Sequence, residues 1–317
     1  MFGVLQDRVY EEHDTGSHPE RKERLVAIRD GIALLDQSLL TPLSPRTATV
    51  EQIAAVHEDN YIAWVKQQVD RGYDHLNMDT SICARSYDVA LQAVGGALAG
   101  LDEIMAGRLS GAFFCVRPPG HHAEAGESLG FCLFNNIAIG ARHLQKVHGL
   151  GKVAIYDFDV HHGNGTMHAF YEDDSVFYSS VHQWPWYPGT GRAEETGRGK
   201  GRGTTLNFPY PSGAGDVEYE EATLRFGEAM EKFKPDFLLI SAGYDAHWSD
   251  PLAGHQCTEN GYIAITRILK SLAATHCNGR LACFLEGGYN LAALKNCVAA
   301  TVKTLASSPL ARPLEIH

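Results

Sequence analysis

Short apolar runs alternate along the chain with segments of helical periodicity, and this alternation constrains the fold more than any other feature. The predicted strands are 111–116, 152–160, 175–181, 236–243 and 281–288. The predicted helices are 84–107, 132–148, 216–233, 259–275 and 290–306. Strands that alternate with helices form parallel sheets, and continuous apolar runs are typical of strands buried on both faces. The pattern predicts a single α/β domain over residues 1–317, with a central, mostly parallel sheet and helices on both faces.

A polar cluster stands at the C-terminal end of each predicted strand. In chain order the clusters read RPPGHH, DFDVHHGNG, HQWPWYPGTG, YDAHWSDP and EGGYN. The carboxyl ends of parallel strands lie at one edge of a sheet, and open α/β proteins bind their ligands there. Five clusters at equivalent positions therefore predict one shared site.

The cluster DFDVHHGNG has the composition of a metal site. Asp157, Asp159 and His161 are spaced two residues apart, so on an extended segment their side chains would point the same way. Such ligands suit Zn²⁺, and Fe²⁺ accepts them too. Asp245 ends another apolar run and is the best further ligand; three protein ligands would leave one position for water and substrate, as in catalytic sites. Aspartates that merely cap turns are the alternative, but so many buried polar groups are costly without a balancing charge.

The other clusters supply candidates for proton transfer. His121 and His122 are adjacent and would point apart as metal ligands, so we interpret them as an acid/base pair. Tyr289 follows two glycines, and its hydroxyl can donate to an oxyanion. The simpler alternatives are surface histidines and a packed loop tyrosine, and the shared edge of the sheet favours the catalytic interpretation.

Charge and composition exclude several function classes. The net charge of −11 argues against a nucleic-acid surface, since phosphate binding requires basic groups. No run reaches the roughly 18 apolar residues of a membrane span, and the first residues lack the pattern of a secretory signal. None of the seven cysteines forms a CxxC pair, which indicates reduced, mostly buried thiols, and we expect a cytoplasmic protein. The glycine-rich segment 188–203 lacks the P-loop pattern and is predicted to be a solvated loop; formation of a homo-oligomer stays open.

Seven motifs resemble those of the histone deacetylase family, which includes acetylpolyamine amidohydrolases and shares its fold with arginases. They are HPERKERL (18–25), RPPGHH (117–122), GFCLFNN (130–136), DFDVHHGNG (157–165), YPGTG (187–191), SAGYDAHWSDPL (241–252) and LEGGYN (285–290). The first motif, Asn164 and LEGGY are more similar to the class II branch and its bacterial relatives than to class I. The resemblance implies the arginase/deacetylase fold, with eight strands in the central sheet.

The same resemblance implies a role for each catalytic position. Asp159, His161 and Asp245 would bind Zn²⁺. His121 and His122 would together form the general base and acid pair, with Asp157 behind His121 and Asn164 behind His122, where class I members carry an aspartate. Because an amide holds an imidazolium less well than a carboxylate does, the two histidines should differ in pKa. Tyr289 would donate to the oxyanion.

Substrate and potassium positions follow by the same resemblance. The Gly130 carbonyl would accept the substrate amide proton, Phe131 and Tyr187 would form the walls of a narrow tunnel, and Asp59 would be the aspartate at its rim. The residues implied to hold a structural K⁺ are Asp157 and Ser180, with the backbone carbonyls of Asp159, His161 and Val181.

The resulting hypothesis is hydrolysis of an N-acylated amine, with an acylated lysine as the leading substrate. An acetylpolyamine is the alternative, and Leu252, where a polyamine-selective relative can place glutamate, favours the lysine. An arginase-like ureohydrolase with two Mn²⁺ would need bridging carboxylates and has no use for the paired histidines. A non-catalytic acyl-lysine reader should have lost a ligand, a histidine or the tyrosine, and this chain has them all.

Overall fold

Eight parallel strands form one central sheet in the computed structural model, which describes residues 1–307. The strands are β1 (Phe2–Leu5), β2 (Leu40–Leu43), β3 (Ala112–Phe114), β4 (Val153–Asp157), β5 (Val176–Gln183), β6 (Thr205–Tyr210), β7 (Phe237–Ala242) and β8 (Leu281–Leu285). Their order is β2-β1-β3-β8-β7-β4-β5-β6, and every pairing is parallel. The expected parallel α/β sheet is confirmed, without an antiparallel strand among the described residues. The predicted domain also included residues 308–317, which lie outside them.

The helices pack in two layers. They are α1 (Glu23–Ile32), α2 (Val50–Ile53), α3 (Asp59–Asp70), α4 (Ser86–Met105), α5 (Asn136–His148), α6 (Asn164–Ala169), α7 (Asp216–Phe233), α8 (Glu259–His276) and α9 (Leu291–Ala306). In one layer α7, α8, α9 and α1 pack side by side, and α4 packs against α5 in the other. Helix α5 begins later than predicted because the Asn135 side chain accepts a hydrogen bond from the Ala138 amide and caps the helix there.

Three strands escaped prediction, and each lies at or beside an edge of the sheet. Strands β1 and β2 have four residues each, too few for a clear pattern. The edge strands β2 and β6 contain Pro42 and Pro209, which is tolerated where one side of the strand needs no partner.

Strand β4 ends at Asp157, before the predicted end at residue 160. Beyond that point the backbone amides bond to side chains: Val160 donates to Asp245 Oδ1 (2.9 Å) and His161 to Asp159 Oδ1 (2.9 Å). The expected alternation of side chains therefore stops at Asp157, and the next residues form a loop at the carboxyl edge. No helix within residues 1–307 combines the length and apolarity needed to cross a membrane.

Candidate active site

Asp159, His161 and Asp245 converge at the carboxyl edge of the sheet. Nδ1 of His161 lies 3.2 Å from Asp159 Oδ1 and 3.1 Å from Asp245 Oδ2. One ligand atom of each residue lies within 4.8 Å of the other two, and all three residues are buried. The loops after β4 and β7, neighbouring strands in the sheet, bring them together. These are the three residues expected to bind the metal.

Backbone amides and two glycines hold the carboxylates in place. The Gly287 amide donates to Asp159 Oδ2 at 2.8 Å, and the Val160 amide donates to Asp245 Oδ1. A Cβ atom at Gly287 would lie 2.1 Å from Asp245 Oδ2, and one at Gly243 would lie 2.0 Å from Asp159 Oδ2. Only glycine lets the backbone approach this closely.

The donor set fits a divalent cation. Within residues 1–307 no lysine or arginine forms an ion pair with Asp159 or Asp245, although both carboxylates are buried. Burial and the neighbouring Asp159 charge raise the pKa of Asp245, which shows the cost of confining two negative charges here. Two carboxylates and one imidazole are ligands that Zn²⁺ accepts, and three protein ligands are typical of catalytic sites.

His121 and His122 lie beside this group, at the start of the loop after β3. Their ring centroids are 4.0 Å apart, and His121 Nε2 lies 4.0 Å from Asp159 Oδ1. His121 Nδ1 faces Asp157 Oδ2 at 3.0 Å, while His122 Nδ1 faces Asn164 Oδ1 at 2.8 Å. The two rings therefore differ in what stands behind them, a carboxylate in one case and an amide in the other.

The pKa values of the two histidines move in opposite directions. Burial would lower the pKa of His121, but Asp157, Asp159 and Glu286 outweigh it and raise the value to about 10. Burial, followed by the charges of His121 and His161, lowers the pKa of His122 well below its usual range. A neutral imidazole and a protonated one, side by side, form the pair that general acid/base chemistry requires.

Asp157 lies outside the metal group and stands behind His121, as the resemblance implies. It is the last residue of β4, and its Oδ2 meets His121 and the Tyr178 hydroxyl (3.2 Å). It pairs in register with Ser180 of β5, and Val181 follows. The Ser180 hydroxyl lies 2.9 Å from His182 Nδ1. Of the residues implied for K⁺, Asp157 lies beside Ser180 and Val181 on adjacent strands, and Asp159 and His161 follow in the loop after β4.

A cavity of about 280 Å³ leads to the two histidines and to His161. Its lining residues are Asp79, Pro119, His121, His122, Gly130, Phe131, His161, Trp186, Tyr187, Leu252, Gly287 and Tyr289. Phe131 and Tyr187 lie in its wall as expected, and the Tyr187 ring stands edge-on to His122 at 5.2 Å. Gly130 has φ of 53°, and a Cβ there would lie 2.1 Å from the His122 ring, so the close approach requires glycine.

The acidic residue at the cavity is Asp79, not Asp59. Asp59 is the first residue of α3 and is exposed, because that helix buries its other face through Tyr61 and Val65. Asp79 Oδ2 accepts a hydrogen bond from the Tyr187 hydroxyl at 3.0 Å. The assignment of Asp59 to the rim is therefore replaced by Asp79.

Tyr289 lies in the cavity wall between β8 and α9. Its amide donates to Asp250 Oδ2 at 2.7 Å, the Arg24 guanidinium lies 5.0 Å from its ring centroid, and Phe131 meets the ring edge-on at 5.9 Å. Burial raises the pKa of its hydroxyl well above the usual range. Tyr289 therefore stays protonated and can donate a hydrogen bond.

Four residues at the site escaped sequence interpretation: Asp79, Trp186, Asp250 and Glu286. Asp250 and Glu286 stand inside the quoted motifs, where their acidic character was a usable signal. Glu286 Oε2 accepts from the Gly120 and His121 amides at 2.8 and 3.1 Å, so it fixes the histidine loop. Trp186 donates to the Leu252 carbonyl at 3.1 Å across the cavity wall. Asp79 belongs to no motif, and only its position in the fold identifies it.

Comparisons with known proteins point to one family. The family model of the histone deacetylase domain matches residues 18–305. Histone deacetylase 14, chloroplastic, of Arabidopsis thaliana is 41% identical, covering 92% of this chain and 74% of the relative. A probable deacetylase of Archaeoglobus fulgidus is 39% identical, with coverage of 92% and 82%.

Further similarity comes from a bacterial relative and a solved structure. A histone deacetylase-like amidohydrolase of Pseudomonas aeruginosa is 37% identical over 90% of this chain and 76% of the relative. The crystal structure of the HDA15 HD domain superposes with a TM-score of 0.91 at 34% identity, covering 96% of this chain and 91% of that one. The family model, the sequence identities and the matching fold lead to one conclusion: the chain belongs to the histone deacetylase family.

Proposed function

We propose that this protein is a zinc-dependent amidohydrolase that removes acetyl or related acyl groups from Nε-acyl-lysine or a similar acylated amine. One observation carries the proposal. Three buried candidate metal ligands lie beside two histidines of opposite pKa shift. Three of these five residues, His121, His122 and His161, line a cavity whose walls include Phe131 and Tyr187.

Asp159, His161 and Asp245 would hold the Zn²⁺. When bound, Zn²⁺ supplies Lewis acidity toward the acyl carbonyl and lowers the pKa of water from about 15.7 to about 7. His122, neutral because of its lowered pKa, is placed to accept the proton of the attacking water. His121 stays protonated because Asp157, which lies at its Nδ1, raises its pKa, and its Nε2 carries the proton that the departing amine would take up. The Tyr289 hydroxyl donates to the oxyanion that develops at the carbonyl.

The shape of the cavity supports an acylated aliphatic amine as substrate. Phe131 and Tyr187 offer apolar surface to a methylene chain. The Gly130 carbonyl accepts a weak hydrogen bond from the Cys132 thiol at 3.2 Å, and its second lone pair would accept the substrate amide proton. Leu252 lies in the same wall, where an acidic side chain would favour a polyamine. The alternative of an acetylpolyamine rests on Asp79, but its carboxylate already accepts from Tyr187 and, at 3.4 Å, from the Gly130 amide.

The potassium site stays part of the proposal. The buried Asp157 carboxylate lies beside Ser180 in register, and burial raises its pKa. A K⁺ held there, with the Val181 carbonyl among its ligands, would stabilise the ionised form of Asp157. Cytoplasmic location and homo-oligomer formation likewise stay predictions, and two relatives carry the word chloroplastic in their names.

A substrate panel tests the proposal. Acyl-lysine peptides and acetylputrescine are assayed in parallel with the purified chain, before and after chelation and after addition of Zn²⁺ or Fe²⁺. We expect hydrolysis of an acyl-lysine peptide that chelation abolishes and Zn²⁺ restores. Faster turnover of acetylputrescine would transfer the assignment to the polyamine, and hydrolysis that survives complete chelation would reject the metal mechanism.

A further inference from the structure

A second group of side chains that could hold a metal ion lies at the C-terminal ends of α4 and α5, the helices that precede β3 and β4. Asp102 stands in the last turn of α4, while His143 and His148 stand on α5. Nε2 of His143 lies 2.6 Å and Nε2 of His148 lies 2.8 Å from one oxygen, Asp102 Oδ1. Among residues 1–307, only this triad and the Asp159 group bring three such ligand atoms within 4.8 Å of one another.

The fold holds the triad in place through the packing of α4 against α5. A Cβ at Gly140 would lie 3.3 Å from the Leu101 side chain, so the two helices approach closely one residue before Asp102. His143 is only 8% exposed, and the histidine rings meet edge to face with centroids 5.5 Å apart. Close helix packing and the burial of His143 therefore hold the three side chains near one another.

The electrostatic surroundings favour a cation. Both helices end here, α4 at Met105 and α5 at His148, and the free carbonyl groups at helix C-termini carry partial negative charge. Arg46 opposes this, but it approaches the other carboxylate oxygen, with Nη1 3.5 Å from Oδ2. Oδ1 is left to the two imidazoles. A neutral imidazole with its proton on Nδ1 presents the Nε2 lone pair to a metal.

We propose that Asp102, His143 and His148 form a second site for a divalent transition metal, with Zn²⁺ as the ion that best suits two imidazoles and one carboxylate. Zinc bonds to such ligands are about 2.0–2.2 Å long, so the side chains must separate slightly around the ion. The partial exposure of the Asp102 and His148 side chains, 31% and 22%, allows this movement. The ion ties the end of α4 to the end of α5, and water completes its coordination.

The test counts zinc ions bound per chain. The full chain is stripped with chelator, dialysed against Zn²⁺ at a fixed free concentration, and analysed for metal by mass spectrometry. Wild type should bind two equivalents and His148→Asn one. The matched control is His276→Asn, because His276 is likewise the last residue of a helix, α8, and lies outside the triad. It should bind two.

Active-site variants make the second site visible by itself. Asp245→Ala should bind one equivalent, and Zn²⁺ should raise its melting temperature, since an ion that binds only the folded chain stabilises it. Asp245→Ala with His148→Asn should bind none and show no shift, and its circular dichroism should match that of wild type. Equal zinc content in wild type and His148→Asn, or no zinc in Asp245→Ala, would overturn the proposal. Because the readout is metal content, loss of the proposed hydrolytic function would leave this result intact.

Discussion

Within residues 1–307, two groups of aspartate and histidine side chains could hold a metal ion, one in the loops after β4 and β7 and one at the C-terminal ends of α4 and α5. Their surroundings differ. Asp159, His161 and Asp245 have side chains 1%, 11% and 0% exposed, and backbone amides anchor both carboxylates. Asp102 and His148 stand on helices, partly exposed, with Arg46 beside the carboxylate. The difference teaches that similar side chains acquire different properties from burial. A buried pair of carboxylates needs a cation, whereas water and an arginine can stabilise the single, partly exposed carboxylate of Asp102.

The largest expected contrast compares one histidine from each group. His161→Ala should lower hydrolysis of the best acylated substrate by more than about 10³-fold, because a lost metal returns the pKa of water from about 7 toward 15.7. His143→Gln should leave the rate unchanged. Both rates are measured with saturating Zn²⁺. A comparable loss in the two variants would mean that the groups are coupled through the fold and are not independent.

The next effect isolates the oxyanion donor from the metal. Tyr289→Phe should keep its zinc and lose roughly 10²–10³-fold in kcat, the usual effect of removing one such donor. Tyr73→Phe is the control, because Tyr73 is 51% exposed. Metal analysis accompanies the kinetics. A wild-type kcat in the Tyr289 variant would remove this residue from the mechanism.

A backbone substitution tests how the buried group is held. Gly287→Ala should weaken zinc binding at the active site by about 10–100-fold, the range for lost outer-shell support, since its Cβ would fall 2.1 Å from Asp245 Oδ2. Gly151→Ala is the matched control, with its nearest atom at 3.6 Å. Competition with a chromophoric chelator gives both affinities. Equal affinities would show that the carboxylates can move without loss.

The smallest expected effect is the change in stability when Asp102 is substituted in the absence of metal. Asp102→Asn should lower the free energy of unfolding by about 1 kcal/mol or less, as is usual for partly exposed ion pairs. Burial opposes ionisation of Asp102, but hydrogen bonds from His143 and His148 outweigh it and lower its pKa. The contribution is therefore present above the unfolded-state pKa near 3.8 and is lost as the pH falls below it. Urea unfolding with chelator at pH 7 and at pH 3 measures both; a loss above about 3 kcal/mol at pH 7 would indicate a fully desolvated pair.

Sequence patterns located the active-site group but missed the second triad, and the reason is geometric. Asp159 and His161 share one short motif at a strand end, and Asp245 ends another apolar run. Asp102 and His148 lie in two helices with no motif between them. Their meeting depends on how α4 crosses α5, which no local pattern encodes.

The same limit explains the errors within the active site. The spacing of Asp157, Asp159 and His161 suggested one extended segment, but β4 ends at Asp157 and the other two residues stand in the loop that follows. Asp59 was expected at the cavity, where the structure has Asp79. Both errors arose because residue spacing describes a local conformation, whereas a site is formed by segments distant in the chain.

The sequence by itself determined the alternation of strands and helices, the five polar clusters at strand ends, and the chemical types of the candidate metal ligands and candidate proton carriers. These are local properties, since periodicity, caps and turn residues act over a few positions. The tertiary structure alone decided the order of the strands, the end of β4 at Asp157, the place of Asp79 in the cavity wall and the meeting of Asp102 with His143 and His148. Each of these depends on contacts between residues far apart in the chain, and packing of the whole core fixes them.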